Sequence, residues 1–332
     1  MPRATDRRID KLIQLLATNA TVVVPGPKIA SQIGVTRSTV WAWIEKLRSL
    51  GVEIKGHPSS GYQLQKLPDV LVPSLVRPEL GEAEIGHKII HYFRIDSTNN
   101  VALALAAKSK GGSAHGTVVV AEEQTAGRGR FGRAWYSEKS SGIYCSVILQ
   151  PPLSPAAAPA LTLMAGVAAR AAVSSTTGLA ADIRWPNDLL INGRKVSGIL
   201  TEMSAELDRL HAVVVGIGIN VNHREMPPEL KAIATSLRME TGKAYSRAHI
   251  LVALLKELEQ HYRLLLNEGS AAIARRWAAV STYAQGKRIR VLVNSGGFVA
   301  TTLGLEPSGA LRIRREDGRE ESLVAGEVIE VK

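Results

Sequence analysis

A proline-rich segment between residues 67 and 78 divides this chain into two parts with different hydrophobic patterns. Pro68, Pro73 and Pro78 interrupt regular structure there. Before this segment apolar residues recur at helical spacing, and after it strand patterns alternate with helical ones. With 332 residues the chain is also too long for one ordinary core. We therefore predict an α+β protein with a small domain at 1–67, a linker at 68–86 and larger units beyond it.

The first 67 residues have the pattern of a winged helix-turn-helix. An amphipathic helix is predicted at 7–17, followed by a short helix at 28–33 that ends at Gly34. Thr36 is suited to cap a third helix that ends near Gly51. The inward face of this helix is predicted to be Val40, Trp43, Ile44 and Leu47. Strands at 52–54 and 62–64 enclose a glycine-containing wing at 56–61.

The third helix is expected to present its amino-terminal end to DNA. In helix-turn-helix motifs this end meets base edges, while nearby lysines and arginines contact phosphates. The residues predicted to bind DNA are Arg37, Ser38, Thr39, Trp41 and Ala42. Residues 1–67 carry ten Lys and Arg against four Asp and Glu, a net +6 of the chain's +11. This excess favours operator DNA as a partner, and a winged helix used only for protein contacts is the alternative.

Strand and helix patterns alternate through the central part of the chain, which we place at 87–280. Asn100 is expected to cap the helix at 101–108, and Asn192-Gly193 predicts a hairpin turn. Strands are predicted at 89–95, 117–122, 142–149, 182–185, 189–191, 195–201 and 210–215, with further helices at 156–175 and 249–268. From 281 to 332 short strands are separated by turn sequences at 294–297 and 317–318, which predicts a third, β-rich domain.

Composition favours a cytoplasmic protein without a membrane partner. The amino terminus is polar, and no stretch was expected to approach the roughly 20 apolar residues of a membrane span. The single cysteine, Cys145, lies in an apolar run and excludes an intrachain disulfide.

Three glycines alternate with three arginines in the segment 124–133. Glycine permits close backbone approach and arginine supplies fork-shaped cationic donors, so the segment suits a loop that folds over an anionic ligand. It is neither a Walker A loop nor the dinucleotide fingerprint. An RNA-binding or merely mobile loop is the alternative.

Lys195 follows the predicted hairpin turn and precedes Gly198. A lysine there suits either a surface charge or a point charge set against a developing phosphoryl anion. The sequence Trp185-Pro186-Asn187-Asp188 suits either a tight turn or a pair of side chains that contact a nucleotide or its magnesium.

Together these segments resemble the biotin–protein ligase family. The resemblance rests on DSTNN at 96–100, QTAGRGRFGRAW at 124–135, RWPNDLLINGRKVSGIL at 184–200 and VGIGINVN at 215–222. The winged helix in front resembles the bifunctional members, the biotin-operon repressors, and 281–332 resembles their SH3-like β-barrel. The implied architecture is a winged helix-turn-helix, a central mixed-sheet ligase domain with helices, and a carboxy-terminal SH3-like barrel.

The resemblance implies a role for each residue of the site. Lys195 would bridge the biotin carboxylate and the α-phosphate as a catalytic residue together with Arg130, and Gly198 would leave room for the ligand. The predicted biotin contacts are Ser97, Thr98, Asn99, Gln124, Arg128, Gly129, Arg130, Lys195 and Gly198. The predicted nucleotide contacts are Arg128, Arg133, Asn187, Asp188 and Asn220, with Asp188 as a candidate magnesium ligand. The segment 222–240 offers no tryptophan to stack on adenine.

The resemblance also implies the reaction and its partners. Biotin and ATP, with Mg²⁺, would give biotinyl-5′-AMP, and the biotinyl group would pass to a lysine of a biotin carboxyl carrier protein. The adenylate would promote a homodimer that binds operator DNA and represses transcription. The alternatives are a ligase with a vestigial winged helix, a lipoate or octanoate transferase, and a transcription factor with an effector domain and no turnover.

Overall fold

The computed structural model describes residues 4, 6–20, 22–66, 69–109, 113–205, 210–293 and 296–331. The first group of elements comprises α1 (Arg7–Thr18), α2 (Gly26–Ile33), α3 (Arg37–Ser49), β1 (Ile54–His57) and β2 (Gly61–Leu64). These three helices and the antiparallel pair form the predicted winged helix-turn-helix. The side chain of Thr36 accepts a hydrogen bond from the Thr39 amide, so the predicted cap of α3 is confirmed. Val40, Ile44 and Leu47 are buried, whereas Trp43 is only half-buried.

The segment after the winged helix is ordered and packed. It contains α4 (Pro73–Val76) and a 3₁₀ turn at Arg77–Glu79. Val70 and Val72 join the core of the winged helix, while Leu71 joins the core of the central sheet. The linker predicted from its prolines therefore connects two cores through alternating side chains.

A seven-stranded mixed sheet forms the centre of the molecule. Its order is β3-β4-β5-β9-β8-β7-β6, and only β3 and β4 run parallel. The strands are β3 (Lys88–Tyr92), β4 (Thr117–Ala121), β5 (Gly142–Leu149), β6 (Asp182–Arg184), β7 (Asp188–Ile191), β8 (Arg194–Ala205) and β9 (Leu210–Asn220). The helices are α5 (Thr98–Lys108), α6 (Ala158–Thr177), α7 (Leu237–Thr241), α8 (Arg247–Glu268) and α9 (Ser270–Val280). The Asn192-Gly193 turn is confirmed, since both residues have positive φ, 51° and 75°.

One expectation about helices was wrong. Asn100 does not cap α5, because the helix begins two residues earlier at Thr98 with Ser97 as its N-cap residue. Here Oε1 of Gln124 accepts from the Thr98 amide at 2.9 Å, so a distant side chain satisfies the helix terminus. The helix α9 was not predicted at all.

One helix has the length and composition of a membrane span, which contradicts the expectation from sequence. It runs over Pro155–Thr177, and 67% of its most apolar stretch of 18 residues is buried inside the protein. It packs with α8 on one face of the central sheet, while α5 covers the other face. Its hydropathy is therefore explained by a position in the core.

Five antiparallel strands form the carboxy-terminal part in the order β13-β12-β11-β10-β14, which is consistent with the predicted SH3-like domain. They are β10 (Gln285–Val293), β11 (Gly296–Leu305), β12 (Leu311–Arg315), β13 (Glu320–Leu323) and β14 (Glu327–Glu330). Its buried residues, including Ile289 and Val328, belong to the same apolar cluster as Trp185 and Trp277 of the central part. This barrel is thus held against the sheet beside β6.

Candidate functional site

A cavity of about 400 Å³ opens between the central sheet, the segment 124–136 and the strand β14. This volume is ordinary for a small-molecule site. Every residue that the sequence predicted to contact biotin or nucleotide lines this cavity. The structure therefore brings four separate motifs together, and the assignment of each residue to one ligand stays a prediction.

The polar end of the cavity is a connected network at the start of α5. Both the amide and the hydroxyl of Thr98 donate to Oε1 of Gln124, at 2.9 and 3.1 Å. The Ser146 hydroxyl lies 2.7 Å from Oγ1 of Thr98 and 2.5 Å from Oδ1 of Asn99. Nδ2 of Asn99 donates to the Glu202 carboxylate at 2.7 Å. These bonds fix the orientation of side chains that can present both donors and acceptors to a ligand.

Close packing against glycine forms the wall beside this network. A Cβ at Gly218 would overlap the indole of Trp135, and a Cβ at Gly216 would overlap the Asn99 amide. A Cβ at Gly198 would lie 2.9 Å from both Trp135 Cζ3 and Lys195 Cε. Gly198 was expected to leave room for ligand. In the structure without ligand, Trp135 and Lys195 approach the strand at this glycine, and its contact with ligand stays a prediction.

Lys195 is placed by an irregularity in the strand β8. Leu189 of β7 pairs with Ser197 of β8, but the next residue, Leu190, pairs with Lys195. Val196 is therefore an extra residue on β8, which forms a β-bulge. The backbone of Lys195 also bonds the neighbouring segment, through its amide to the Ile233 carbonyl and its carbonyl to the Thr235 amide. Its side chain is therefore held at the cavity wall by bonds on both edges of the strand.

A carboxylate lies between the two cations at this wall. Nζ of Lys195 lies 2.6 Å from Oδ1 of Asp188, and Arg184 lies 2.7 Å from Oδ2. Burial alone would raise the pKa of Asp188, but Lys195 and Arg184 outweigh it and hold that pKa below its usual range. Asp188 is therefore ionised, and the cavity wall carries one net positive charge from these three groups.

The predicted magnesium ligand Asp188 is paired with cations in this structure. Both of its carboxylate oxygens are engaged by cations. Within the part of the chain that the structure describes, no three His, Cys, Asp or Glu side chains are grouped to hold a metal ion. Without a ligand Asp188 is the counter-ion of Lys195 and Arg184, and its role towards a magnesium ion that arrives with ATP stays a prediction.

The arginines of the loop contact three different parts of the protein. Arg128 pairs with Glu202 at 3.3 Å, and Arg133 pairs with Glu327 of β14 at 2.6 Å. Nη1 of Arg130 donates to Oδ1 of Asn187 at 3.1 Å and to the Gly326 carbonyl at 3.0 Å. Burial lowers the pKa of Arg130. The loop thus joins the sheet and the SH3-like barrel across the cavity.

The segment 222–236 closes the remaining side. Nδ2 of the buried Asn220 donates to the Thr235 carbonyl at 3.0 Å, so Asn220 anchors this segment rather than projecting freely. Apolar side chains of the segment line the cavity: Met226, Leu230, Ala232, Ile233 and Ala234. Any flat apolar group of a ligand would contact these residues on this side.

The predicted DNA-binding residues remain accessible on α3. Trp41 has 58% of its surface exposed, and Arg37, Ser38 and Ala42 are exposed beside it. Thr39 is partly buried because its hydroxyl lies 2.8 Å from that of Thr36 within the helix cap. The amino-terminal end of α3 is therefore open to a partner.

Sequence reasoning missed several residues of the cavity. Trp135, Gly216 and Gly218 lie within quoted motifs, and the repeated glycines of the strand β9 were the signal for a close approach. Arg184 lies within a quoted motif but was given no role. Glu327, and Glu202 that pairs with Arg128 beside the cavity, carry no such signal, because their roles depend on which oppositely charged group each one meets in space.

Comparisons with known proteins agree with this geometry. The profile of the biotin/lipoate A/B protein ligase family matches residues 92–220, and that of an HTH domain matches 8–63. The bifunctional ligase/repressor BirA of Bacillus subtilis (strain 168) is 38% identical over 309 residues, 92% of this chain and 94% of that protein. The bifunctional ligase/repressor BirA of Escherichia coli (strain K12) is 28% identical over 318 residues, 96% of this chain and 95% of that protein.

A solved structure extends the comparison to three dimensions. The biotin protein ligase from Aquifex aeolicus in complex with biotin and ATP has a TM-score of 0.62 at 31% identity, over 73% of this chain and 97% of that one. Fold and site together define a ligase-type catalytic domain joined to a helix-turn-helix domain. The chain belongs to the biotin/lipoate A/B protein ligase family, and its similarity to the bifunctional ligase/repressors extends over both parts.

Proposed function

We propose that this chain is an ATP-dependent biotin–protein ligase that also represses transcription. The observation that carries the ligase proposal is one cavity that combines the fixed polar network at Thr98, the Lys195–Asp188 pair and the arginine loop. Such a site suits a ligand with a polar ring system, an apolar chain and an anionic end. The solved relative with biotin and ATP bound supports the choice of substrates.

The first step joins two anions. An oxygen of the biotin carboxylate attacks the α-phosphorus of ATP, a P–O bond forms, and pyrophosphate leaves with the electrons of the broken bond. At about 4 Å and an effective dielectric near 20, the repulsion between two unit charges is on the order of 4 kcal/mol. Lys195, Arg128 and Arg130 offset this repulsion and hold the reacting groups in place.

The ion pairs of the site explain how these cations stay oriented before the ligand arrives. Asp188 holds Lys195, and Glu202 holds Arg128. When the ligand anions enter, each cation either moves from its carboxylate to the ligand or contacts both. The cations already lie at the cavity wall, so little reorganisation is required. Arg184 remains on Asp188 and keeps that carboxylate paired.

The second step transfers the biotinyl group. An uncharged lysine amine of a biotin carboxyl carrier protein attacks the carbonyl carbon of biotinyl-5′-AMP, an amide bond forms, and AMP leaves. The mixed anhydride reacts with water, so the loop at 124–133 and the half-buried Trp135 serve to exclude solvent from it.

Biotin-dependent exchange of radiolabelled pyrophosphate into ATP tests the first step, and biotin transfer to a carboxyl carrier domain tests the second. We expect both, with lipoate and octanoate as much poorer substrates. Equal turnover with lipoate or octanoate would favour the acyl transferase alternative. Absence of exchange in the presence of tight biotin binding would favour an effector domain without turnover.

The loop at 125–133 is expected to tighten over the ligand. Its glycines make ordering costly in entropy, and a ligand anion adds a partner for the arginines beyond the protein groups that already hold them. Limited proteolysis should cleave this segment more slowly with biotin and ATP than without them. Cleavage at equal rates would contradict a closing loop.

The winged helix carries the repressor proposal. Its recognition helix is exposed at the end that enters the major groove in related folds, and the small module offers few contacts alone. A homodimer promoted by biotinyl-5′-AMP would engage two half-sites. Among the described strands, β7 pairs with β8 only as far as Gly198, so the rest of β8 offers an edge where two sheets can meet.

Sedimentation with and without biotin plus ATP tests this part. The dimer fraction and the affinity for operator DNA should rise together, because linkage makes the effect reciprocal. An unchanged monomer fraction with equal affinity for scrambled DNA would leave a ligase with a vestigial winged helix. The proposed place of both activities is the cytoplasm.

A further inference from the structure

The helix α3 exposes one of its two tryptophans. Trp41 and Trp43 are two residues apart, which separates them by about 200° around the helix axis. Trp43 packs against the core of the winged helix, whereas 58% of Trp41 is exposed. An indole offers a large apolar surface, and leaving it in water is unfavourable unless a partner covers it.

The polar neighbours of Trp41 are occupied by the helix cap. The hydroxyls of Ser38 and Thr39 each lie 2.8 Å from Oγ1 of Thr36, which also accepts from the Thr39 amide. Arg37 pairs with no carboxylate among the described residues. Arg37 and Trp41 are therefore the two large side chains that this end of the helix offers to a partner.

The opposite end of α3 is held by the central part of the molecule. Nζ of Lys46 lies 4.3 Å from the centroid of the Phe93 ring, and the Ser49 carbonyl accepts from Nζ of Lys139 at 2.8 Å. These contacts leave the end that carries Trp41 facing solvent. The net +6 of residues 1–67 makes a polyanion the best complement for this face.

We propose that Trp41 reads a thymine in the operator by packing its indole against the 5-methyl group in the major groove. This inference rests on the proposed repressor function. The methyl of thymine is the apolar feature of base edges in that groove, whereas the other features are hydrogen-bond donors and acceptors. Arg37, beside it, would contact phosphate and so add affinity without sequence preference.

The test begins with the full chain, biotin and ATP, and a pool of duplex DNA with a randomised core, from which bound sequences are selected. Affinities are then measured for the selected duplex, a scrambled duplex, and duplexes in which each thymine in turn is replaced by uracil. The variants are Trp41→Ala, Trp41→Phe and, as a control at the far end of the same helix, Ser49→Ala. Biotin transfer by each variant reports that it is folded.

At one position in each half-site, uracil should weaken binding of the unmodified chain about fourfold, the worth of one buried methyl group. The same uracil should not weaken DNA binding by Trp41→Ala, while it should weaken binding by Trp41→Phe less than about fourfold. Trp41→Ala should lose about tenfold on the selected duplex and little on the scrambled one, a loss typical of one mismatched base. Ser49→Ala should behave as the unmodified chain.

A full uracil penalty in Trp41→Ala would overturn the inference and leave the repressor proposal intact. A loss of dimer without a change in thymine preference would assign Trp41 to a protein contact instead. If the unmodified chain selects no sequence, the repressor function fails and the inference fails with it.

Discussion

The ligand cavity and the recognition helix both present cations to anions, but they hold those cations differently. In the cavity, Lys195 pairs with Asp188, Arg128 with Glu202 and Arg133 with Glu327, at 2.6 to 3.3 Å. At the exposed end of α3, by contrast, Arg37 has no carboxylate partner within the described residues.

The difference follows from solvent. At the partly buried wall of the cavity an unpaired cation is costly, and Asp188 holds Lys195 there. Glu202 and Glu327 hold the more exposed Arg128 and Arg133, whereas the half-buried Arg130 bonds an amide and a carbonyl oxygen. On a surface, water solvates the cation, and attraction to phosphate acts over about a Debye length. Ligand binding in the cavity therefore depends on fixed geometry, whereas DNA binding by the helix depends on charge and accessible surface. The following substitutions test this contrast, beginning with the largest expected effect.

Lys195→Ala should remove a fixed charge from the cavity and lower adenylate formation by about 10²- to 10³-fold. The fold should survive, because the lysine side chain is 29% exposed and Asp188 keeps Arg184. Pyrophosphate exchange and thermal unfolding check both statements. Lys287→Ala, which removes a lysine paired with Glu330 on the barrel, is the control. Activity above half of the original rate would exclude the proposed role.

Gly218→Ala should disturb the wall beside this charge. The added methyl would overlap the indole of Trp135, which must shift away from the strand β9. We expect a loss of about 1–3 kcal/mol in stability, as for overpacking, together with weaker biotin binding. Gly166→Ala is the matched control, since its nearest side-chain contact would be an ordinary 3.5 Å. The two variants should therefore differ in stability, measured by unfolding, and in biotin affinity, measured by titration.

Acid should destabilise the catalytic part through His223. Burial, with help from Arg247, lowers the pKa of His223 to about 4 from the usual 6.5 of a histidine. Between these values only the unfolded chain binds the proton, so stability falls as pH drops from 6.5 towards 4, by up to about 1.4 kcal/mol per pH unit. His223→Gln should flatten this part of the unfolding profile.

Arg37→Ala should have the smallest effect and a different signature. Loss of one phosphate contact should weaken binding to all sequences several-fold and reduce the salt slope by about one. DNA titrations at several salt concentrations measure this slope. A change in sequence preference with an unchanged slope would place Arg37 on a base edge instead.

The predictability of the two regions also differed. The winged helix followed from short-range signals, such as the cap at Thr36 and the apolar spacing of α1 and α3. The start of α5 was missed because its cap is Gln124, which lies 26 residues along the chain from Thr98. The helix Pro155–Thr177 was predicted, but its membrane-like length and composition were overlooked; hydropathy alone does not distinguish such a core helix from a membrane span.

The sequence by itself determined the winged helix, the turn at Asn192-Gly193 and the four motifs whose residues line much of the cavity, because each depends on local spacing or on a short motif. Only the tertiary structure decided which carboxylate meets which cation. Asp188 holds Lys195 across a bulged hairpin, and Glu327 reaches Arg133 from a strand 194 residues further along the chain. Ion pairs of this kind depend on distance in space, and no pattern in the sequence specifies that distance.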